Sequence, residues 1–154
     1  MEIQILYDSY FGNTREIAEV IGQTLFGAKV EVLDIKTLDP NHFSTPDLLI
    51  VGSPTRGFRP SPATQEFFKT LPGDKLKGIM VAAFDTRMAL RSIKSGVLRF
   101  IVKTGGYAAK TIEKSMKKKG GESIIEPEGF CVTDKEGPLL EGEKKRAEAW
   151  AKKI

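Results

Sequence analysis

Apolar residues along this chain follow two rhythms that take turns, short strand-like runs and longer stretches with a three-to-four-residue period. Ile3, Ile5, Leu6 and Tyr7 predict a first strand. Ile17, Val20, Ile21 and Leu25 then share one helical face, with Gly27 as the stop. Lys29 to Ile35 alternates and predicts a second strand near a sheet edge, followed by a loop over residues 36–46 with Asp39-Pro40-Asn41 and Pro46. Leu48-Leu49-Ile50-Val51, inside Asp47 to Gly52, is continuous and reads as a central parallel strand covered on both faces. Ser61 and Pro62 are the N-cap and first-turn residue of a helix that buries Ala63, Phe67 and Leu71 and stops at Pro72-Gly73. Gly78 to Phe84 predicts a second buried strand, ending at Asp85-Thr86-Arg87.

Further on, Arg91 to Lys103 reads as an amphipathic helix with Ile93, Val97, Phe100 and Ile101, broken at Gly105-Gly106. Tyr107 to Lys119 is helical, with Ala109, Ile112 and Met116 inward and Gly120-Gly121 closing it. Ser123 to Ile125 and Gly129 to Val132 read as one strand interrupted at Glu126-Pro127-Glu128. A last helix from about Glu141 buries Ala147, Trp150, Ala151 and Ile154. Strand and helix alternate throughout, so the expected class is α/β. The expected architecture is a three-layer, doubly wound, five-stranded parallel sheet with right-handed crossovers. No repeat or linker interrupts it, and residues 1–154 are expected to form a single domain.

The first strand-to-helix junction carries the chemistry. Ser9-Tyr10-Phe11-Gly12-Asn13-Thr14 is a short loop with hydroxyls at both ends and a helix starting at once after it. Such a loop offers backbone N–H groups at the positive end of a helix dipole, and its natural ligand is an anion, most often a phosphate. No Lys or Arg lies between Ser9 and Thr14, so hydroxyls and amides rather than opposite charge would hold that anion. The loop lacks the Gly-Lys-Ser/Thr ending of a nucleoside-triphosphatase loop and the three-glycine dinucleotide turn. The plain alternative for Ser9 and Thr14 is a turn residue and an N-cap.

Ile5, Leu6, Tyr7, Ser9, Gly12, Thr14, Ala18 and Ile21 resemble, in order and spacing, the signature of the flavodoxin family. Gly52-Ser53-Pro54-Thr55 and the ending Glu136 to Trp150 are similar to flavodoxins as well. The resemblance implies strand order 2-1-3-4-5 and non-covalent FMN that cycles between oxidised, semiquinone and hydroquinone forms while carrying electrons between redox partner proteins. It places Ser9, Tyr10, Phe11, Gly12, Asn13 and Thr14 at the phosphate. Pro54, Thr55, Arg56, Gly57 and Phe58 form the second loop, with Gly57 at the position whose peptide can flip toward the flavin N5. Phe84, Asp85, Thr86 and Arg87 fall beside the pyrimidine end of the ring. In open sheets of this kind the ligand sits outside the carboxyl ends of the strands where strand order reverses, between the first and third strands.

The chain departs from the family in ways that alter the expectation. Arg56 stands where a Trp or Met often precedes the glycine, and Phe58 where an acidic residue often follows. Two places are open for Phe58, as a stacking ring or as core beneath the loop. The third loop lacks the usual tyrosine; the nearest aromatics, Phe100 and Tyr107, come later. Arg56, Arg59 and Arg87 bring positive charge to the expected ring, which would ease formation of the anionic hydroquinone and make the second potential less negative. Alternatively these arginines face solvent or pair with Asp85.

Charge sharpens the contrast. The net charge is +4, where flavodoxins are typically acidic. Residues 1–60 hold 5 basic and 8 acidic side chains, and residues 85–119 hold 10 basic and 2 acidic. That basic region suits redox partners with an acidic docking surface, although a solvated lysine-rich face is the commoner reason for such a run. No nucleic-acid motif accompanies it. The one cysteine, Cys131, lies in Gly-Phe-Cys-Val and reads as a buried structural thiol. The longest apolar run, Ile79 to Phe84, is too short to cross a bilayer, and no signal peptide is read, so a cytoplasmic protein is expected. His42 is a lone loop histidine, and Asp8 is a carboxylate that must turn away from any bound phosphate. No acid–base pair, nucleophile or metal cluster emerges. An FMN electron carrier is therefore expected ahead of an FMN-dependent NAD(P)H:quinone oxidoreductase, to whose second loop Pro54-Thr55-Arg56 is similar. A flavin-free flavodoxin-like interaction module is the third reading.

Overall fold

The computed structural model describes residues 1–89, 95–97 and 106–154. Apart from the short piece with Val97, the expected helix over Arg91 to Lys103, with Ile93, Phe100 and Ile101, and the break at Gly105 lie outside the described residues. The strands are β1 (Glu2–Tyr7), β2 (Lys29–Asp34), β3 (Leu48–Pro54), β4 (Met80–Met88), β5 (Glu122–Ser123) and β6 (Glu128–Val132). The helices are α1 (Asn13–Thr24), α2 (Pro62–Thr70), α3 (Ala108–Lys118) and α4 (Glu143–Ala151), with a 3-10 turn over Ile35–Thr37. Every strand pair is parallel, in the order β2-β1-β3-β4-β5, with β6 also on β4. This is the doubly wound order 2-1-3-4-5.

The fifth position of the sheet is filled by two pieces. β5 pairs with Met80 and Val81, and β6 with Phe84 to Met88. The break spans residues 124–127, where Pro127 has no N–H to give a ladder. The Trp150 indole N–H donates to the Glu126 carbonyl at 3.1 Å, so that freed acceptor is satisfied from α4. β3 and β4 both run past the ends of their apolar cores. Ser53 and Pro54 pair with Asp85 and Thr86, and Arg87 and Met88 pair with Cys131 and Val132. Backbone hydrogen bonding, which hydropathy does not record, carries the ladder to the functional end of the sheet.

The continuous run in β3 divides between two cores because successive side chains point to opposite faces. Leu49 and Val51 join Leu6, Val81 and Ala83 beneath Phe67, Phe68, Ile112 and Met116 of α2 and α3. Leu48 and Ile50 join Ile3, Ile5, Ala82 and Phe84 beneath Ile17, Ile21, Ala147 and Trp150 of α1 and α4. Three layers result. Among the described residues no helix is long and apolar enough to cross a membrane.

Phe84 is the centre of the second core. Its ring lies edge-on to Phe130 and Trp150, with centroids 6.2 and 6.4 Å away. It also lies directly beneath Gly52, where an added Cβ would come within 2.0 Å of its ring. Gly52→Ala is expected to destabilise the fold by about 1–3 kcal/mol through overpacking, measured by urea denaturation. A stability within experimental error of the parent would show that the Phe84 ring can move aside.

Candidate functional site

The loop after β1 is shaped by its own backbone. The Asp8 amide donates to the Gly52 carbonyl at 3.1 Å, which ties the end of β1 to β3. The Ser9 hydroxyl accepts from the Gly12 amide at 3.0 Å, and Gly12 adopts φ +90°, a left-handed conformation that favours glycine. α1 then starts at Asn13 with no side-chain cap. The amides of Tyr10, Phe11, Asn13 and Thr14 find no acceptor among the described residues. Unsatisfied donors at a helix N-terminus are the chemistry that an anion completes.

Thr14 is not the N-cap. It lies inside α1, and its buried hydroxyl is 2.7 Å from that of Thr86 on β4. Ser9 does serve its own turn. Asp8 is turned away from the loop mouth: its buried carboxylate accepts from the Ser9 amide at 2.9 Å and lies 3.3 Å from the Lys36 ammonium. That pairing holds the Lys36 amine above its ordinary value.

Next to this loop is a cleft with about 490 Å³ of unfilled space. Ser9, Tyr10, Phe11, Asn13 and Thr14 form one side, and Pro54, Thr55 and Arg56 another. Thr86 and Arg87 close the third. The remaining expected residues lie elsewhere. Gly12 shapes the first loop without lining the cleft. Gly57 and Phe58 sit at the tip of the second loop with φ of 53° and 66°, and Phe58 is 37% exposed, so it neither lines the cleft nor fills core. Phe84 points down into the aromatic core, and Asp85 is fully buried behind the wall. Alternation along β4 puts Asp85 on the opposite face from Thr86, toward α3, while Phe84 shares the Thr86 face one pleat deeper in the sheet, beneath Gly52.

Met88, Val132 and Lys135 line the cleft and had no signal in the sequence. They arrive through the β4–β6 pairing and the loop after β6, where the Glu136 carbonyl accepts from the Asn13 side-chain amide at 3.1 Å. Two further expectations are settled by position. His42 is exposed beside Asp39 and does not line the cleft. Cys131 is half-buried rather than fully buried, and burial pushes its thiol above the ordinary value. Among the described residues no cluster of side chains could hold a metal ion.

Asp85 organises the third wall. Its carboxylate accepts Arg87 Nε at 2.6 Å and Nη2 at 2.7 Å, together with the Ala109 amide of α3 at 2.9 Å. Burial drives the Asp85 carboxyl upward, opposed by these donors. The Arg87 guanidinium also lies 3.6 Å over the Tyr107 ring, and the Tyr107 hydroxyl donates to the Met88 carbonyl at 3.3 Å. A Cβ at Gly129 would meet the guanidinium at 2.0 Å, so this cradle needs glycine for space rather than for backbone conformation. Thr55 supplies a second cross-chain cap to α3, accepting from the Ala108 amide at 3.0 Å.

Arg56 behaves differently. Its guanidinium stands 4.4 Å from the Tyr10 ring centroid and 5.5 Å from that of Phe11, bridging the first and second loops. Among the described residues the cleft wall therefore carries Arg56, Arg87 and Lys135 and no carboxylate, with Arg87 offset by Asp85 behind it. Amide donors at one end, apolar and aromatic sides, and uncompensated positive charge together fit a flat ligand that bears a phosphate and can become anionic.

Asp85→Ala would leave Arg87 without its partner and the Ala109 amide of α3 without its acceptor. The expected loss is about 3 kcal/mol of folding stability, measured by thermal or urea denaturation. An unchanged midpoint would mean that water replaces the carboxylate without cost.

Comparisons with known proteins bear on the fold and the family. The family model for flavodoxins matches residues 5–150. Flavodoxin 2 from Bacillus cereus superposes with a TM-score of 0.78 at 22% identity, covering 99% of this chain and 97% of that one. The two-electron reduced Megasphaera elsdenii flavodoxin gives 0.68 at 22% identity, covering 99% of each chain. Rubredoxin oxygen:oxidoreductase from Desulfovibrio gigas gives 0.72 at 19% identity, with 99% of this chain on 35% of that one. No curated protein sequence matches. At these identities the superpositions speak for the fold, and the family match over nearly the whole length decides the assignment: the chain belongs to the flavodoxin family and, with it, to the FMN-binding electron-transfer proteins.

Proposed function

We propose that this protein, a single domain acting in the cytoplasm, carries electrons between redox partner proteins by means of FMN held in the cleft between the first, second and third loops. The observation that carries the reading is the row of amides without acceptors at the start of α1, beside the Ser9 hydroxyl and opening onto a cleft. The phosphate goes to the amides of Tyr10, Phe11, Asn13 and Thr14 and to Ser9. Charge-assisted bonds from several amides orient an anion well without a cation in the loop. The flat ring goes between Pro54, Thr55 and Arg56 on one side and Thr86, Arg87 and Met88 on the other. The bound flavin supplies one-electron chemistry; the chain binds it, orients it and sets its electrostatics.

Those electrostatics are unusual for the family. Arg87 is largely neutralised by Asp85, and Arg59 faces away from the cleft, so the charge falls on Arg56 and Lys135. Neither is ion-paired among the described residues. Positive charge beside the ring favours its anionic reduced form. A partner that approaches this face meets a basic surface, which supports an acidic docking surface on that partner.

The visible absorption spectrum of the purified protein, before and after FMN is added and during stepwise anaerobic reduction, tests the reading. Flavin bands that bleach in two one-electron steps are expected. A colourless protein that takes up no FMN would overturn the proposal, and bleaching in a single two-electron step would turn it toward quinone reduction. Arg56→Gln in the FMN-loaded protein is expected to make the second potential more negative. The shift should be on the order of 1 kcal/mol, about 40 mV for a one-electron step. A potential that stays put in a redox titration would show that Arg56 is screened by water.

A further inference from the structure

A second concavity runs between α2 and α3, on the opposite side of the second loop from the cleft, with about 1370 Å³ of unfilled space. Its walls carry Arg59, Lys69, Lys118 and Lys119 against one carboxylate, Glu66. Lys119 is committed, since its ammonium donates to the Leu71 carbonyl. Arg59, Lys69 and Lys118 are exposed and have no ion-pair partner among the described residues. Elsewhere Lys29 pairs with Glu2, Lys36 with Asp8, Lys117 with Glu113 and Lys144 with Glu16, whereas Lys110, Lys114 and Lys135 have no ion pair among the described residues. The floor is Phe68, which belongs to the core. α3 adds Lys110, Lys114 and Lys117 along its exposed side, with Glu113 the one acid between Ala108 and Lys119.

The groove is joined to the cleft through the backbone. Arg56 and Arg59 exchange two main-chain hydrogen bonds, Arg56 amide to Arg59 carbonyl at 2.8 Å and Arg59 amide to Arg56 carbonyl at 3.1 Å. Arg56 lines the cleft and Arg59 lines the groove, so a partner seated in the groove lies against the loop that borders the flavin.

We propose that the α2–α3 groove is the docking surface for an acidic segment of a protein partner. This deepens the electron-carrier reading by locating the face on which the partner sits, and it rests on that reading for what the partner does. Charge complementarity selects the occupant: three uncompensated cations and one carboxylate over an apolar floor suit carboxylate side chains on a folded partner. Single-stranded nucleic acid would need stacking faces in the groove, and the exposed aromatics among the described residues, Tyr10, Phe11, Phe26 and Phe58, do not line it.

The test is an amide-resolved NMR titration of the full chain, with and without FMN, using a polyglutamate peptide at low and physiological salt. Shifts confined to α2, α3 and residues 56–59 are expected, weakening with salt. The double variant Lys69→Glu, Lys118→Glu should bind the peptide about tenfold more weakly while taking up FMN as the parent does. Shifts scattered over all lysine-bearing faces, or an affinity unchanged by the charge reversal, overturn the docking surface. So does an oligonucleotide of equal charge that displaces the peptide. A protein that takes up no FMN overturns the electron-carrier reading and leaves the groove measurement standing.

Discussion

The buried carboxylate of Asp85 is the constraint on which the functional end of the sheet depends. A charge at zero exposure must find donors inside the protein or lose its ionised form. Asp85 finds three, two from Arg87 and one from the first turn of α3. Meeting that requirement does several things at once. It holds Arg87 at the cleft wall, fixes where α3 begins, and brings Tyr107 under the guanidinium. It also requires a glycine at 129, because the guanidinium occupies the space a side chain would fill. The third wall of the cleft is thus set by one carboxylate that does not itself line it.

The first loop follows the opposite principle. It presents neutral amides to the outside and hides its carboxylate, Asp8, against Lys36 on the chain after β2. On the proposed reading an anion there is stabilised by oriented dipoles in place of a cation, which leaves the nearby charge free to act on the other end of the ligand. Arg56 and Lys135 hold that charge. On the proposed reading, phosphate recognition and tuning of the reduced state fall to separate parts of one cleft and to separate residues.

Parallel pairing explains why these parts meet. All strands run in the same direction, so every loop that follows a strand emerges at the same end. The order reverses between β1 and β3, and the helices that follow them go to opposite faces, α1 over one core and α2 over the other. A crevice opens where they part, and the cleft lies there. The groove between α2 and α3 lies where these two helices are laid side by side on one face of the sheet.

Much of this is legible in the residues alone. The alternation of runs determined the class, the two-sided burial of Leu48 to Val51 and the order of elements, because hydrophobic periodicity is a local property and burial acts on every residue in turn. The spacing from Ile5 to Ile21 likewise pointed to the family, since a strand, a tight turn and a helix start leave few choices of residue. Tertiary structure alone decided the rest. It put Phe84 and Asp85 behind the wall, Phe58 outside it, Thr14 against Thr86, and Met88, Val132 and Lys135 on the cleft. It also capped α3 with Asp85 and Thr55, more than twenty residues away in the chain. Each of these depends on which strand lies beside which and in what register, and no local pattern carries that information because the partners are distant in sequence and meet only when the sheet closes.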